Sequence, residues 1–174
     1  MMKTEIKDNH LSNQEHQNII DGTTSIWFPW GFVPSQVRPK DKDGKDLENF
    51  VSPILDDWHL THVIYDGNIN SPCTPAFDHL VESLKPTEIL RVKINLLLPC
   101  GKPIESGFHT DMGPEKVKTS IYYVNTCNGY TELEDGTKVD CVANRLVTFD
   151  SSMKHNAVRQ TDTKQRIVIN ICWK

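Results

Sequence analysis

Apolar residues follow two regimes along this chain. From Ile89 onward they come in short runs: Ile89 to Leu98, Gly107 to Asp111, Thr119 to Val124, Thr131 to Leu133, Lys138 to Val142, Leu146 to Phe149, Ala157 to Arg159 and Gln165 to Trp173. Short runs bounded by Gly, Pro, Asn and Asp have the texture of strands, and Asp135-Gly136 between two of them predicts a tight hairpin. No long helical stripe interrupts this half. Such spacing predicts an antiparallel sandwich or barrel closed over a central cavity.

Upstream the pattern is mixed. Residues 1–18 are polar and predict a flexible arm, with no role for His10 or His16. Ser25 to Phe32 is rich in aromatics and predicts a strand or extended cover, its Trp27 and Trp30 packed on the core rather than lining a substrate mouth. Arg38 to Asp46 holds Pro39, Gly44 and a cluster of charges, the composition of a surface loop. Trp58 to Tyr65 predicts a strand ending at Asp66-Gly67. Thr74-Pro75 opens a helix, Thr74 as N-cap, and Phe77, Leu80, Val81 and Leu84 form the stripe it lays on the core before Lys85-Pro86 ends it. His79 lies between stripe positions, an ordinary partly exposed histidine. The expected organisation is one domain over 1–174, with a support region over 19–88 and the β core over 89–174.

Composition narrows the function. The 174 residues suffice for a real core, and a net charge of −4 argues against a general nucleic-acid binder, which needs a basic face. No apolar run approaches the length of a membrane span, and no signal core follows Met1. Cys73, Cys100, Cys127, Cys141 and Cys172 form no Cys-x-x-Cys pair and read as reduced thiols, so a soluble cytoplasmic protein is expected. Oligomeric state has no signature here.

Candidate chemistry centres on Gly107-Phe108-His109-Thr110-Asp111. On a strand, His109 and Asp111 point to one face. A third ligand from another strand, with His155 the downstream candidate, would complete the two-imidazole, one-carboxylate set of non-haem Fe(II) oxygenases. Asp57, His59 and His62 form a rival cluster, but His59 and His62 face opposite ways on a strand. Arg166 opens the apolar run that ends at Trp173, and a charge there demands a partner. A bound dicarboxylate would supply one through two parallel hydrogen bonds; a surface position at the strand end would also relieve it.

In order, Lys93-Ile-Asn95, Gly107-Phe-His109-Thr-Asp111, Tyr122-Tyr123-Val-Asn125, Gly129-Tyr-Thr131-Glu132, Asn144-Arg145, His155, Arg166 and Trp173 resemble the 2-oxoglutarate- and Fe(II)-dependent dioxygenases. The likeness runs over residues 89–173 and points to the prolyl-4-hydroxylase-like branch, within it to small oxygenases encoded by bacteriophages of cyanobacteria. The resemblance implies a mainly β (α+β) double-stranded β-helix, a cupin-like jelly-roll, with N-terminal helical support. It implies Fe(II) on His109, Asp111 and His155, and 2-oxoglutarate held at its distal carboxylate by Arg166 and Tyr122, with Asn95 near its chelating end. Dioxygen would be the second cosubstrate, ascorbate an optional reductant, and succinate and carbon dioxide the coproducts of hydroxylation. Gly129-Tyr-Thr131-Glu132 departs from the Gly-Gly-Glu-Thr frequent in relatives. Two other classes remain: a cupin-like metalloenzyme without 2-oxoglutarate, and a non-catalytic β-helix module, against which the intact ligand set and arginine argue. Peptidyl proline, another protein side chain, a nucleobase and a small metabolite all fit as substrates of such a site.

Overall fold

The computed structural model describes residues 3–34, 58–68, 70–112 and 116–174. In chain order these form β1 (Glu5–Lys7), α1 (Asn13–Thr24), β2 (Gly31–Val33), β3 (His59–Tyr65), a 3-10 turn (Thr74–Phe77) running into α2 (Asp78–Ser83), β4 (Ile89–Leu97), β5 (Lys118–Tyr123), β6 (Tyr130–Leu133), β7 (Lys138–Asp140), β8 (Arg145–Asp150), β9 (His155–Val158) and β10 (Arg166–Trp173). The strands make a seven-stranded sheet in the order β1-β8-β5-β10-β4-β3-β2 and a three-stranded sheet in the order β7-β6-β9. All named pairings are antiparallel, so the fold is mainly β, two antiparallel sheets as the short strand runs predict and consistent with the double-stranded β-helix that the resemblance implies.

β10 is buried along its whole length because both faces of the large sheet are covered. On one face Ile167, Ile169 and Ile171 pack with Val92, Ile94 and Leu96 of β4 against Ile19 of α1, Phe77 and Leu80. On the other, Val168 packs with Ile121, Tyr123, Val147 and Phe149 against Leu133 and Val139 of the small sheet. The hairpin between β6 and β7 turns at Gly136, at φ 85°, where a left-handed residue costs glycine little, and Asp135 Oδ1 accepts from the Thr137 N–H at 2.9 Å.

Four local expectations change. Residues 5–7 and 13–24 are ordered rather than an arm. β1 pairs with β8, and Ser12 caps α1 through a capping box with Glu15. Leu11 and Ile19 of this segment join the core, and hydrogen bonds add to the docking. Asn144, itself at φ 60°, accepts from the Leu11 N–H at 2.9 Å through Oδ1 and donates to the Leu11 carbonyl at 2.8 Å through Nδ2. Tyr122 Oη donates to Asn144 Oδ1 at 3.0 Å, which leaves it to accept from His16 Nδ1 at 2.6 Å.

The aromatic cover is the second change. Phe28 is buried and Trp30 half-buried, but Ile26 is 88% and Trp27 85% exposed, so Trp27 is not a core residue. Third, the cap of the Thr74 turn is Cys73; the Thr74 hydroxyl instead donates toward Ser71 O at 2.6 Å. Fourth, residues 107–111 form no strand. They run beside β9 with isolated bridges at Glu105 to Val158 and His109 to His155. The loop expected over Arg38 to Asp46 lies outside the described residues. None of the described helices is long and apolar enough to cross a membrane.

Candidate active site

The bridge between His109 and His155 builds the core of the site. Each residue's N–H donates to the other's carbonyl, at 3.0 and 2.9 Å, and residues so paired present their side chains on one face. The two imidazole centroids lie 4.5 Å apart. Buried Asn156, next to His155, steadies the approach: its Oδ1 accepts from the Gly107 N–H at 3.0 Å. His109 Nδ1 donates to the Gly107 carbonyl at 3.0 Å, and because a carbonyl can only accept, the Nε2 lone pair is left available.

Asp111 joins them. One ligand atom from each of His109, Asp111 and His155 lies within 4.8 Å of the other two, and this is the only such trio among the described residues. Burial works against the Asp111 carboxylate, but His155, Arg91, His109 and a hydrogen bond from Asn170 hold its pKa below the ordinary value. Burial drives His155 down to about 4 despite the neighbouring carboxylate. With that imidazole neutral near pH 7, the permanently charged Arg91 is the cation that balances Asp111, Nη2 to Oδ1 at 2.7 Å. Two imidazoles and one carboxylate are the donor set that suits a divalent first-row metal.

The opposite end of the cavity is organised by Arg166. It is 1% exposed, and one nitrogen, Nη2, donates weakly to the Tyr130 carbonyl at 3.4 Å and Thr131 Oγ1 at 3.3 Å. Its Nε and Nη1 are buried with no partner among the described residues. A buried guanidinium in this state is costly unless an anion completes it. Tyr123 stands beside it, ring centroid 5.8 Å from the guanidinium carbon and Oη donating to Thr131 at 2.8 Å. Burial pushes the Tyr123 phenol up to about 12, so it stays protonated.

His109, Asp111, His155, Arg166 and Asn95 all line one cavity, with Leu97, Ile121 and Val168 as its apolar wall. Asn95 Oδ1 accepts from Thr61 Oγ1 at 3.1 Å. Tyr122 is not brought there: it points to the other face of the sheet, in the core with Ile19 and Leu11. Successive strand residues alternate faces, and Val168 pairs with Tyr123, so the second tyrosine shares the cavity side with Arg166. The rival cluster also comes apart. His59 turns into the cavity, His62 bonds Ser71 at 2.7 Å and packs on Phe28, and Asp57 lies outside the described residues. Sequence reasoning passed over Arg91, Tyr123, Thr131 and Asn170; only register places them.

Compared by sequence, the chain matches no family model and no curated protein. Compared by structure, it is similar to a prolyl hydroxylase from Trichoplax adhaerens in complex with a hypoxia inducible factor oxygen degradation domain peptide fragment, at TM-score 0.65 and 16% identity, over 98% of this chain and 82% of that one. A 2OG-Fe(II) oxygenase family oxidoreductase from Burkholderia pseudomallei aligns at TM-score 0.66 and 12% identity, over 98% and 84%. The viral collagen prolyl hydroxylase of Paramecium Bursaria Chlorella virus-1, in its 2OG complex, aligns at TM-score 0.59 and 13% identity, over 98% and 94%. At these identities the likeness establishes a shared fold, that of the 2-oxoglutarate oxygenases.

Proposed function

We propose that this chain is an Fe(II)- and 2-oxoglutarate-dependent oxygenase that hydroxylates its substrate. The observation that carries the reading is one cavity with a ligand trio at one end and, at the other, a buried guanidinium with two unpartnered N–H groups. The donor set fits Fe(II), and the open nitrogens of Arg166 fit a carboxylate. His109, Asp111 and His155 would hold the metal; Arg166 would grip the distal carboxylate of 2-oxoglutarate, flanked by Tyr123 and Thr131. Bound iron, 2-oxoglutarate and dioxygen supply oxidative decarboxylation to succinate and carbon dioxide, the hard part of the reaction.

The chain's own residues orient and shield. Arg166 sets where the diacid ends, and Leu97, Ile121 and Val168 keep the cavity wall free of competing water. Asn95 stands on the wall between the two ends, where it can donate to a bound carboxylate. A peptide is the substrate class favoured by the likeness to the Trichoplax enzyme with its peptide. The surroundings would be the cytoplasm, where the five cysteines stay reduced.

The test is an anaerobic titration of Fe(II) and then 2-oxoglutarate, followed by succinate release over peptides, nucleotides and amino acids. We expect 2-oxoglutarate to create a visible absorption band, lost in His155→Ala and shifted to higher 2-oxoglutarate concentration in Arg166→Ala. Metal binding without any spectral response to 2-oxoglutarate would favour a cupin-like enzyme instead.

A further inference from the structure

The two oxygens of the Asp111 carboxylate have different surroundings. Oδ2 lies 3.5 Å from His155 Nε2 and accepts from Asn170 Nδ2 at 3.2 Å. Oδ1 is held by Arg91, whose Nη2 donates to it at 2.7 Å while Nη1 lies 3.4 Å from the Asp111 carbonyl oxygen. Arg91 and Asn170 come from neighbouring strands, β4 and β10, so their approach to Asp111 is fixed by the sheet rather than by the loop that carries Asp111. The Arg91 side chain is 24% and that of Asp111 10% exposed, a partly buried pair in which a charge-assisted hydrogen bond is strong.

We propose that Arg91 is a positioning residue that makes Asp111 a one-oxygen metal ligand. This rests on the function proposed above. A carboxylate can bind a cation through one oxygen or two, and the second mode uses one more coordination position. On an octahedral ion, two imidazoles and one oxygen leave three positions, enough for a chelating 2-oxoglutarate and dioxygen together. With Oδ1 engaged by a guanidinium, only Oδ2 is presented toward His155. The arrangement has a cost in raw metal affinity, because a fixed cation stands next to the site and a chelating oxygen is withheld. An ordinary structural salt bridge would have the opposite effect, since its loss would loosen the ligand and weaken the metal.

Mn(II) reports the number of exchangeable waters on the bound ion through water-proton relaxation, without 2-oxoglutarate, dioxygen or turnover. We expect the wild-type chain to bind one Mn(II) with a relaxivity corresponding to three exchangeable waters. Arg91→Met should bind Mn(II) about threefold tighter, with relaxivity per bound ion reduced by about a third as the carboxylate takes a second position. Wild-type relaxivity corresponding to two waters overturns the inference, whatever the variant does. So does equal relaxivity in the two proteins, or weaker Mn(II) binding in Arg91→Met. A wild-type chain that binds no Mn(II) overturns the proposed function itself.

Discussion

Arg166 reaches the cavity across the bare backbone of Gly129. A Cβ on Gly129 would come within 2.8 Å of the Val158 carbonyl oxygen and 3.1 Å of Arg166 Cδ. The first is a backbone atom of β9 and has little room to yield. Gly129→Ala should therefore displace both the small sheet and the arginine, costing about 1–3 kcal/mol of stability. We expect the 2-oxoglutarate dissociation constant, titrated at saturating metal, to rise on the order of tenfold, each 1.4 kcal/mol of misplacement being a factor of ten. Unchanged affinity would mean that Arg166 adapts.

The two adjacent tyrosines should separate by phenotype. Tyr123→Phe removes the hydroxyl that donates to Thr131 beside Arg166 and should raise the 2-oxoglutarate dissociation constant severalfold, about 1 kcal/mol for a lost hydrogen bond in the site. Tyr122→Phe removes bonds to Asn144 and His16 on the opposite face. It should leave 2-oxoglutarate binding intact and lower stability by about 1–2 kcal/mol, read as a shifted urea midpoint.

Asn144 combines a left-handed backbone with three side-chain bonds, to Leu11 twice and Tyr122 once. Asn144→Gly keeps the conformation and loses the bonds; Asn144→Ala loses both. Thermal unfolding should rank them wild type, Gly, Ala, with about 1 kcal/mol between the two variants for the left-handed Cβ. Proteolysis within residues 3–12 should accelerate in both, since this side chain tethers that segment.

Acid should destabilise the metal-free fold through its histidines. Burial, helped by the Lys93 and Arg159 charges, pushes His59 down to about 3. An unfolded histidine titrates near 6.5, so below that value the unfolded chain takes up a proton that the folded chain refuses. The stability this neutral imidazole contributes is complete above about pH 6.5 and falls away as pH drops toward 3, a loss of a few kcal/mol in all. His16, also lowered by burial, adds in the same direction. Urea midpoints measured with chelator present should fall between pH 7 and pH 4, and less steeply in His59→Gln.

The trio of His109, Asp111 and His155 was legible only as an ordered set with Arg166, because a lone His-x-Asp triplet is expected by chance in a chain of this composition. Tyr123 was not. In a sheet covered on both faces, Tyr122 and Tyr123 are equally buried, and only pairing with Val168 fixes which one meets Arg166. Arg91 was hidden for a similar reason: Ile89 to Leu98 reads as a strand, and nothing in that pattern says that the side carrying Lys93 and Asn95 faces the cavity. The first helix misled through weakness of signal. Its capping box was present in Ser12 and Glu15, but it buries only Ile19 and Thr23, and hydrogen bonds across more than a hundred residues of sequence finish the docking.

Because β10 places isoleucines under the helices and Arg166, Val168 and Asn170 toward the cavity in strict alternation, the core and the candidate site are locked to one register. A slip by a single residue would drive a guanidinium into the helix interface and fill the cavity with aliphatic side chains. Misfolded molecules of this chain should therefore be wholly inert rather than partly competent, and its specific activity per folded molecule should stay constant while its yield varies.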